Sequence, residues 1–291
     1  MNKIKKVVIP TAGVGSRLLP ATKEIPKEML PIFDVDSNKR LYLKPIIQVI
    51  YEKLYDLGFR EFCFVVGRRK RIIENYFSED LNFINYLKSL GKHEYAEYFI
   101  NFYKKLKNST IVYVNQATPK GFGDAVNLAK IFTGNDPFLV HAGDDLVLSR
   151  MSFHITRLVR EFNKREADAI FLVERIPNPK RFGVITGIKV STSVYKVTDI
   201  VEKPRKPPSN LAVVAIYVFS SRIYDFLRKI RPGYGGEIQL TDAIKELIGC
   251  GGRVYAVELL PDEKRIDVGT PISYCMSLEL TYRYCLNNIV S

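Results

Sequence analysis

The chain has 291 residues, 46% hydrophobic and 26% charged, which is ordinary for a soluble globular protein with a sizeable core. No long uninterrupted apolar span is present and the first apolar run stops at Pro10, so neither a membrane span nor a signal peptide is expected, and the expected location is cytoplasmic. A formal net charge of +13 fits nucleic-acid binding, an acidic small-molecule substrate or a basic solvated surface. Because the lysines and arginines are dispersed, most of that charge reads as surface, with a minor share steering anions.

In chain order, a buried strand over Lys5–Ile9 spills into the turn Thr11-Ala12-Gly13-Val14-Gly15-Ser16-Arg17, and Pro26-Lys27-Glu28-Met29-Leu30-Pro31 follows. Glycines admit backbone N–H groups close to an anion, Arg17 offers a planar fork and Lys27 a point charge. The turn is not a P-loop, and the dinucleotide fingerprint that starts at Gly13 and Gly15 fails at Leu18, so alone it is as compatible with a structural turn as with a nucleotide site. Ile46, Ile47, Ile50, Leu54 and Leu57 predict a helix from about Pro45 to Leu57, closed by Gly58. A strand over Glu61–Val66 leads to Arg68-Arg69-Lys70-Arg71, a basic cluster without interleaved aromatics that reads as solvated charge. Leu81–Lys107 has helical spacing broken at Gly91, hence two helices, with Tyr95, Phe99 and Phe102 as core.

Further strands are expected at Thr110–Val114, Phe138–Ala142 and Ala169–Glu174. Alternation of short apolar strands with amphipathic helices argues for an α/β fold with a largely parallel sheet. After residue 175 come strands at Gly183–Ile188, Tyr195–Val201 and Val213–Phe219, with a Pro-rich turn from Pro204 to Pro208. Helices are expected at Arg222–Lys229, Leu240–Ile248 and from Pro271, with Thr270 as its N-cap. Cys63, Cys250, Cys275 and Cys285 show no C-x-x-C spacing and read as reduced thiols.

The candidate chemistry lies at strand ends. Gln116, just before the turn Gly121-Phe122-Gly123-Asp124, carries both donors and an acceptor, as reading a pyrimidine edge requires; a polar loop residue is the plainer reading. Asp144 and Asp145 place acid groups at the carboxyl edge of the sheet, where open α/β sheets bind ligands and where phosphates call for a divalent cation. Asp267 precedes the last helix and meets Asp144 only if the fold brings them together. Glu202 and Lys203 end another strand on opposite faces unless the chain turns there. His93, His141 and His154 lack metal-ligand spacing, and His141 reads as a satisfied core residue.

Taken together, VVIPTAGVGSRLLPATKEIPKEMLPI, KPIIQ, NQATPKGFGDAV, GDDLVL, RFGVI, VEKP, SNLAVVAIYVF, GGEIQLTDAI and DVGTPISY resemble the bacterial UTP–glucose-1-phosphate uridylyltransferase family of sugar nucleotidyltransferases, from residue 7 to residue 274. The resemblance implies one domain over 1–291 with a Rossmann-like three-layer α/β/α architecture and a mixed, mostly parallel sheet. Its nucleotide part would span about 1–175 and its sugar-phosphate part about 176–291. It implies Mg²⁺-dependent conversion of UTP and glucose 1-phosphate to UDP-glucose and pyrophosphate, without nucleic-acid or membrane partners, by a homo-oligomer whose last helix is a candidate contact. By the resemblance Ala12, Gly13 and Gly15 would contact the nucleotide, Gln116 and Gly121 would read uracil with Glu28 nearby, and Arg17 and Lys27 would hold the triphosphate. Asp144 and Asp267 would hold Mg²⁺, and Gly183, Glu202 and Lys203 the sugar phosphate.

Two departures stand out: extra residues Val35–Leu43, read as a longer surface turn, and Ala215-Ile216 where the family usually has Gly-Arg. Another sugar 1-phosphate or dTTP remains an alternative substrate, and a basic nucleic-acid-binding protein the alternative from a different class.

Overall fold

Lys6–Pro10 forms β1, whose Val7 and Ile9 point to one face of the sheet and Val8 to the other, all fully buried. A strand covered on both faces needs this continuous β-branched run. The computed structural model describes residues 4–290 apart from Ser37 and Arg69. A hairpin follows, β2 (Pro31–Val35) and β3 (Leu41–Pro45), then α1 (Ile46–Asp56), β4 (Glu61–Gly67), α2 (Arg71–Tyr76), α3 (Leu81–Ser89), α4 (His93–Lys107) and β5 (Thr110–Gln116). Next come α5 (Phe122–Leu128), α6 (Lys130–Thr133), β6 (Phe138–His141), β7 (Asp145–Leu148), α7 (Phe153–Arg165) and β8 (Ala169–Arg175). The chain ends through β9 (Gly183–Ser191), β10 (Val194–Glu202), β11 (Leu211–Phe219), α8 (Ile223–Leu227), α9 (Leu240–Gly249), β12 (Val254–Glu258), β13 (Lys264–Asp267) and α10 (Pro271–Val290).

Among the described residues the main sheet runs β5-β4-β1-β6-β11-β8-β12-β10-β9. Its first half is parallel, with β1 paired to β4 on one side and β6 on the other. The strand order therefore reverses at β1, and a topological switch point opens between β1 and β6, where ligands of such sheets bind. The second half corrects the expectation of a mostly parallel sheet: β11 is antiparallel to β6 and β8, and β10 to β9 and β12, with only β12 parallel to β8. The reason is local. Two residues, Thr192 and Ser193, join β9 to β10, and so short a connection closes only an antiparallel pair.

Hydrophobic clusters fill both faces. One packs α1, α4 and α7 against the sheet, and the other α5, α8 and α9. The break at Gly91 between α3 and α4 is present, but Tyr95, expected in the core, is exposed. The Val35–Leu43 segment is not a simple turn; its ends are strand residues of the β2–β3 hairpin, which α10 covers through Tyr274 Oη donating to Pro31 O and Phe33 N donating to Thr281 Oγ1. Thr270 caps α10, accepting from Ser273 N at 3.1 Å. Cys63 and Cys285 are buried, Cys250 and Cys275 exposed. No helix among the described residues is long and apolar enough to cross a membrane.

Ile9 is fully buried one residue before the switch-point loop. Ile9→Ala is expected to cost about 2–5 kcal/mol, the range for truncating a buried aliphatic side chain. A denaturant titration checks it by a lowered midpoint at unchanged slope.

Candidate functional site

The turn after β1 is shaped by Gly15, whose φ of 70° suits a residue without Cβ, and Thr22 Oγ1 fastens the turn by donating to Gly15 O at 2.8 Å. Arg17 follows on the exposed side of this turn. Beside it, the turn after β6 comes unusually close. A Cβ on Gly143 would lie 2.9 Å from Thr11 Cγ2 and 3.0 Å from Glu28 Cγ, so only glycine lets the two loops touch. That approach brings Lys27 Nζ to 2.5 Å from Asp144 Oδ2. Burial opposes the Lys27 charge, but Asp144 and Glu28 outweigh it and hold the ammonium above the ordinary lysine range. Burial likewise pushes Asp144 up, and Lys27 more than reverses it, keeping the carboxyl ionised.

Asp145, the second acid group at this edge of the sheet, is already committed. Arg265 from β13 grips it with contacts of 2.6–3.1 Å, and Ala215 N donates to it at 3.3 Å. Antiparallel pairing of β7 with β13 sets Asp267 opposite Asp145, and Val268 N donates to Asp144 O at 3.1 Å. Asp144 and Asp267, 123 residues apart, thus converge. Among the described residues no side-chain donor reaches the Asp267 carboxylate; burial, then Asp145, raises its pKa. A methyl built on Gly269 would meet Asp267 Oδ1 at 2.8 Å and Arg17 Nη2 at 3.1 Å, which puts Arg17 on the same wall.

Glu28 is buried with its carboxylate bonded to Lys70 Nζ at 2.6 Å. This corrects the solvated reading of the basic cluster for Lys70, which lies inside the protein; Arg69 lies outside the described residues. Burial moves both partners toward neutrality, Glu28 up and Lys70 down. His141, as expected, is a buried residue whose Nδ1 pairs with Ala142 O.

On the opposite wall Glu202 and Lys203 do face the same space, because the chain turns there. Lys203 has φ 41°, rare for a side-chain-bearing residue, and its N–H donates to Phe182 O. Its ammonium lies 3.3 Å from Glu202 Oε1 and 5.0 Å from the Tyr234 ring centroid. Thr241 Oγ1 donates to Glu202 Oε2, and Gly183 is packed beneath, where a Cβ would be 2.9 Å from Thr241 Cγ2. At the end of β5 Gln116 is buried, with Nε2 donating to Asp124 Oδ2 at 2.7 Å and to Gly121 O at 3.1 Å.

One cavity of about 1080 Å³ joins these walls. Ala12, Gly13, Gly15, Arg17, Lys27, Glu28, Gln116, Gly121, Asp144, Gly183, Glu202, Lys203 and Asp267 all line it. Lining residues that the sequence did not single out include Arg265, Tyr234, Thr241, Lys180 and Arg181. Of these, only Arg181 and Thr241 lay inside motifs legible beforehand, RFGVI and GGEIQLTDAI. A donor set of two carboxylates is all oxygen, and among the described residues no side-chain donor reaches one of them. Such a pair fits a hard divalent cation completed by substrate phosphates and water.

The nucleotidyl transferase family model matches residues 6–281. A UTP–glucose-1-phosphate uridylyltransferase of Bacillus subtilis is 39% identical over 279 residues, covering 94% of this chain and 89% of the relative. One from Staphylococcus epidermidis is 37% identical over 99% of this chain and 94% of the relative. Among solved structures, a UDP-glucose pyrophosphorylase complexed with UDP-glucose superposes with a TM-score of 0.81 at 33% identity, covering 96% of this chain and 99% of that one. A UTP-bound enzyme from Acinetobacter baumannii gives 0.82 at 30%, with 96% and 93% covered.

Removing one partner from the Lys70–Glu28 pair strands a buried charge. Lys70→Met is expected to cost about 3–5 kcal/mol, and adding Glu28→Leu to recover most of that loss. Unfolding titrations of the two variants test this; an unchanged midpoint for Lys70→Met would contradict the pairing.

Proposed function

The chain belongs to the nucleotidyl transferase family, among the UTP–glucose-1-phosphate uridylyltransferases, and we propose that its cavity joins UTP to glucose 1-phosphate, giving UDP-glucose and pyrophosphate. The observation that carries this reading is the convergence, in one cavity, of the loop after β1, the acids Asp144 and Asp267, and the Glu202–Lys203 turn. The uridine half lies against Ala12, Gly13 and Gly15 with its base at Gln116 and Gly121, and Glu28 braces that wall through Lys70. Arg17 and Lys27 take the triphosphate. Glucose hydroxyls reach Glu202 beside Gly183, and Lys203 takes the sugar phosphate.

The chemistry needs no general base, because the attacking phosphate oxygen is already an anion. It attacks the α-phosphorus, one P–O bond forms as the bond to pyrophosphate breaks, and the electron pair leaves with pyrophosphate. The obstacle is electrostatic. Two unit charges of like sign 4 Å apart repel by about 4 kcal/mol at an effective dielectric near 20. Lys27, Arg17 and Lys203 offset that repulsion from fixed positions, and the walls hold the reactants in line.

Asp144 and Asp267 would hold a divalent cation, Mg²⁺ by preference, which when bound supplies charge neutralisation and a template for the phosphates. In that arrangement Lys27 keeps the Asp144 carboxylate ionised and oriented. The basic balance of the surface steers both anionic substrates. The protein works in the cytoplasm, as one domain divided near residue 175 and as a homo-oligomer. Ala215 faces the cavity where the family usually has glycine and Ile216 is buried in the core, so the sugar wall carries one extra methyl.

Pyrophosphate release is expected with UTP plus glucose 1-phosphate and divalent cation, and not from UTP alone. Asp144→Asn and Asp267→Asn are each expected to lower turnover about 100-fold or more, the scale of losing one preorganised electrostatic contact. Wild-type rates in both would contradict the cation assignment. Lys203→Ala is expected to raise the KM for glucose 1-phosphate about tenfold or more, roughly 1.4 kcal/mol, and to leave that for UTP nearly unchanged. Steady-state kinetics varying each substrate in turn separates the two.

A further inference from the structure

Gln116 is the last residue of β5, buried, and its amide nitrogen meets two groups that can only accept. These are the Asp124 carboxylate at 2.7 Å and the Gly121 carbonyl at 3.1 Å. An amide oxygen turned toward either would face a lone pair, so both neighbours force the same orientation, nitrogen inward. Among the described residues no protein donor reaches Gln116 Oε1, and Gln116 lines the cavity. Asp124 stands behind it on the first turn of α5. The frame is stiff: Gly123 N donates to Ile238 O at 2.9 Å, Ile238 N to Lys120 O at 2.7 Å, and Gly121 is held at φ 117° against Ile238.

We propose that Asp124 is a positioning residue that sets the choice of pyrimidine: it locks the Gln116 amide so that only its oxygen faces the base. An acceptor at that point pairs with the N3–H of uracil. Cytosine presents a lone pair at N3, which an amide oxygen repels and an amide NH₂ would welcome. A Gln116 amide by itself can adopt either orientation; the Asp124 carboxylate at 2.7 Å, with the weaker Gly121 carbonyl at 3.1 Å beside it, disfavours the second. The 5-position of the base is not read by this device, so it separates uracil from cytosine and not uracil from thymine. The inference rests on Gln116 facing the base, as proposed above.

The test compares kcat/KM for UTP and CTP, each with saturating glucose 1-phosphate and divalent cation, in the wild type, Asp124→Ala and Gln116→Leu. A ratio of two substrates on one preparation does not depend on how much of it is folded. A purely structural role for Asp124 would lower both values together. Asp124→Ala is expected to reduce the UTP-over-CTP preference at least about tenfold, through a higher KM for UTP and a lower one for CTP. Gln116→Leu is expected to abolish most of the preference. An unchanged ratio in Asp124→Ala beside a collapsed one in Gln116→Leu would overturn the role of Asp124 and leave the base contact standing. An unchanged ratio in Gln116→Leu would overturn both.

Discussion

Asp144 and Asp145, adjacent in the chain, are each held by a cation from a different part of the fold. Lys27 reaches Asp144 from the segment after β1, and Arg265 reaches Asp145 from β13. Two neighbouring carboxylates at a half-buried strand end would repel each other and lose solvation. Paired in this way they become a clamp that fastens the N-terminal loop and the strand before α10 to the centre of the sheet. The clamp also divides labour. Asp145 is fully occupied in holding β13, while among the described residues only Lys27 bonds to the Asp144 carboxylate, through Oδ2, and β13 determines the position of Asp267. Breaking either pair would therefore disturb the geometry of the acids as well as the stability of the fold.

The sheet explains why this clamp sits where two substrates can meet. Its parallel half reverses order at β1 and opens a crevice over the β1 and β6 carboxyl ends, suited to a nucleotide and its phosphates. The antiparallel half brings β9, β10 and β11 against the same crevice, so that the end of β10 carries Glu202 and Lys203 to its far wall. Cations stand on both walls, and a cavity about 1080 Å³ in volume separates them. A reaction between two anions needs that distribution more than it needs a proton carrier, and the buried, internally satisfied His141 is consistent with a site that works by charge and position.

Much of this was legible in the sequence because it is local. Short continuous apolar runs announced β1, β4, β6 and β8, helical spacing announced α1, α4 and α9, and Thr270-Pro271 marked the start of α10. Features set by tertiary contact were not. The solvated reading of Lys70 failed because nothing in its neighbourhood reveals Glu28, 42 residues earlier, as a buried partner. Asp145 looked identical to Asp144 until β13 supplied Arg265. Lys203 reads as facing away from Glu202 in any regular strand, and only its positive φ turns it inward. Strand direction after residue 175 was misjudged because periodicity identifies a strand but not the sense of its neighbours. The β2–β3 hairpin was missed for a related reason: its mixed-polarity, mostly half-buried residues carry little alternation, and α10 stabilises it from the far end of the chain.

The central claim is that the protein contributes charge and position, and that a single in-line displacement does the rest. Turnover of UTP made chiral by sulfur substitution at the α-phosphorus tests this directly, by the configuration of the UDP-glucose analogue formed. One displacement inverts that configuration, which is the result expected. Retention would require two displacements through a uridylyl group bound covalently to the protein, and would contradict the account.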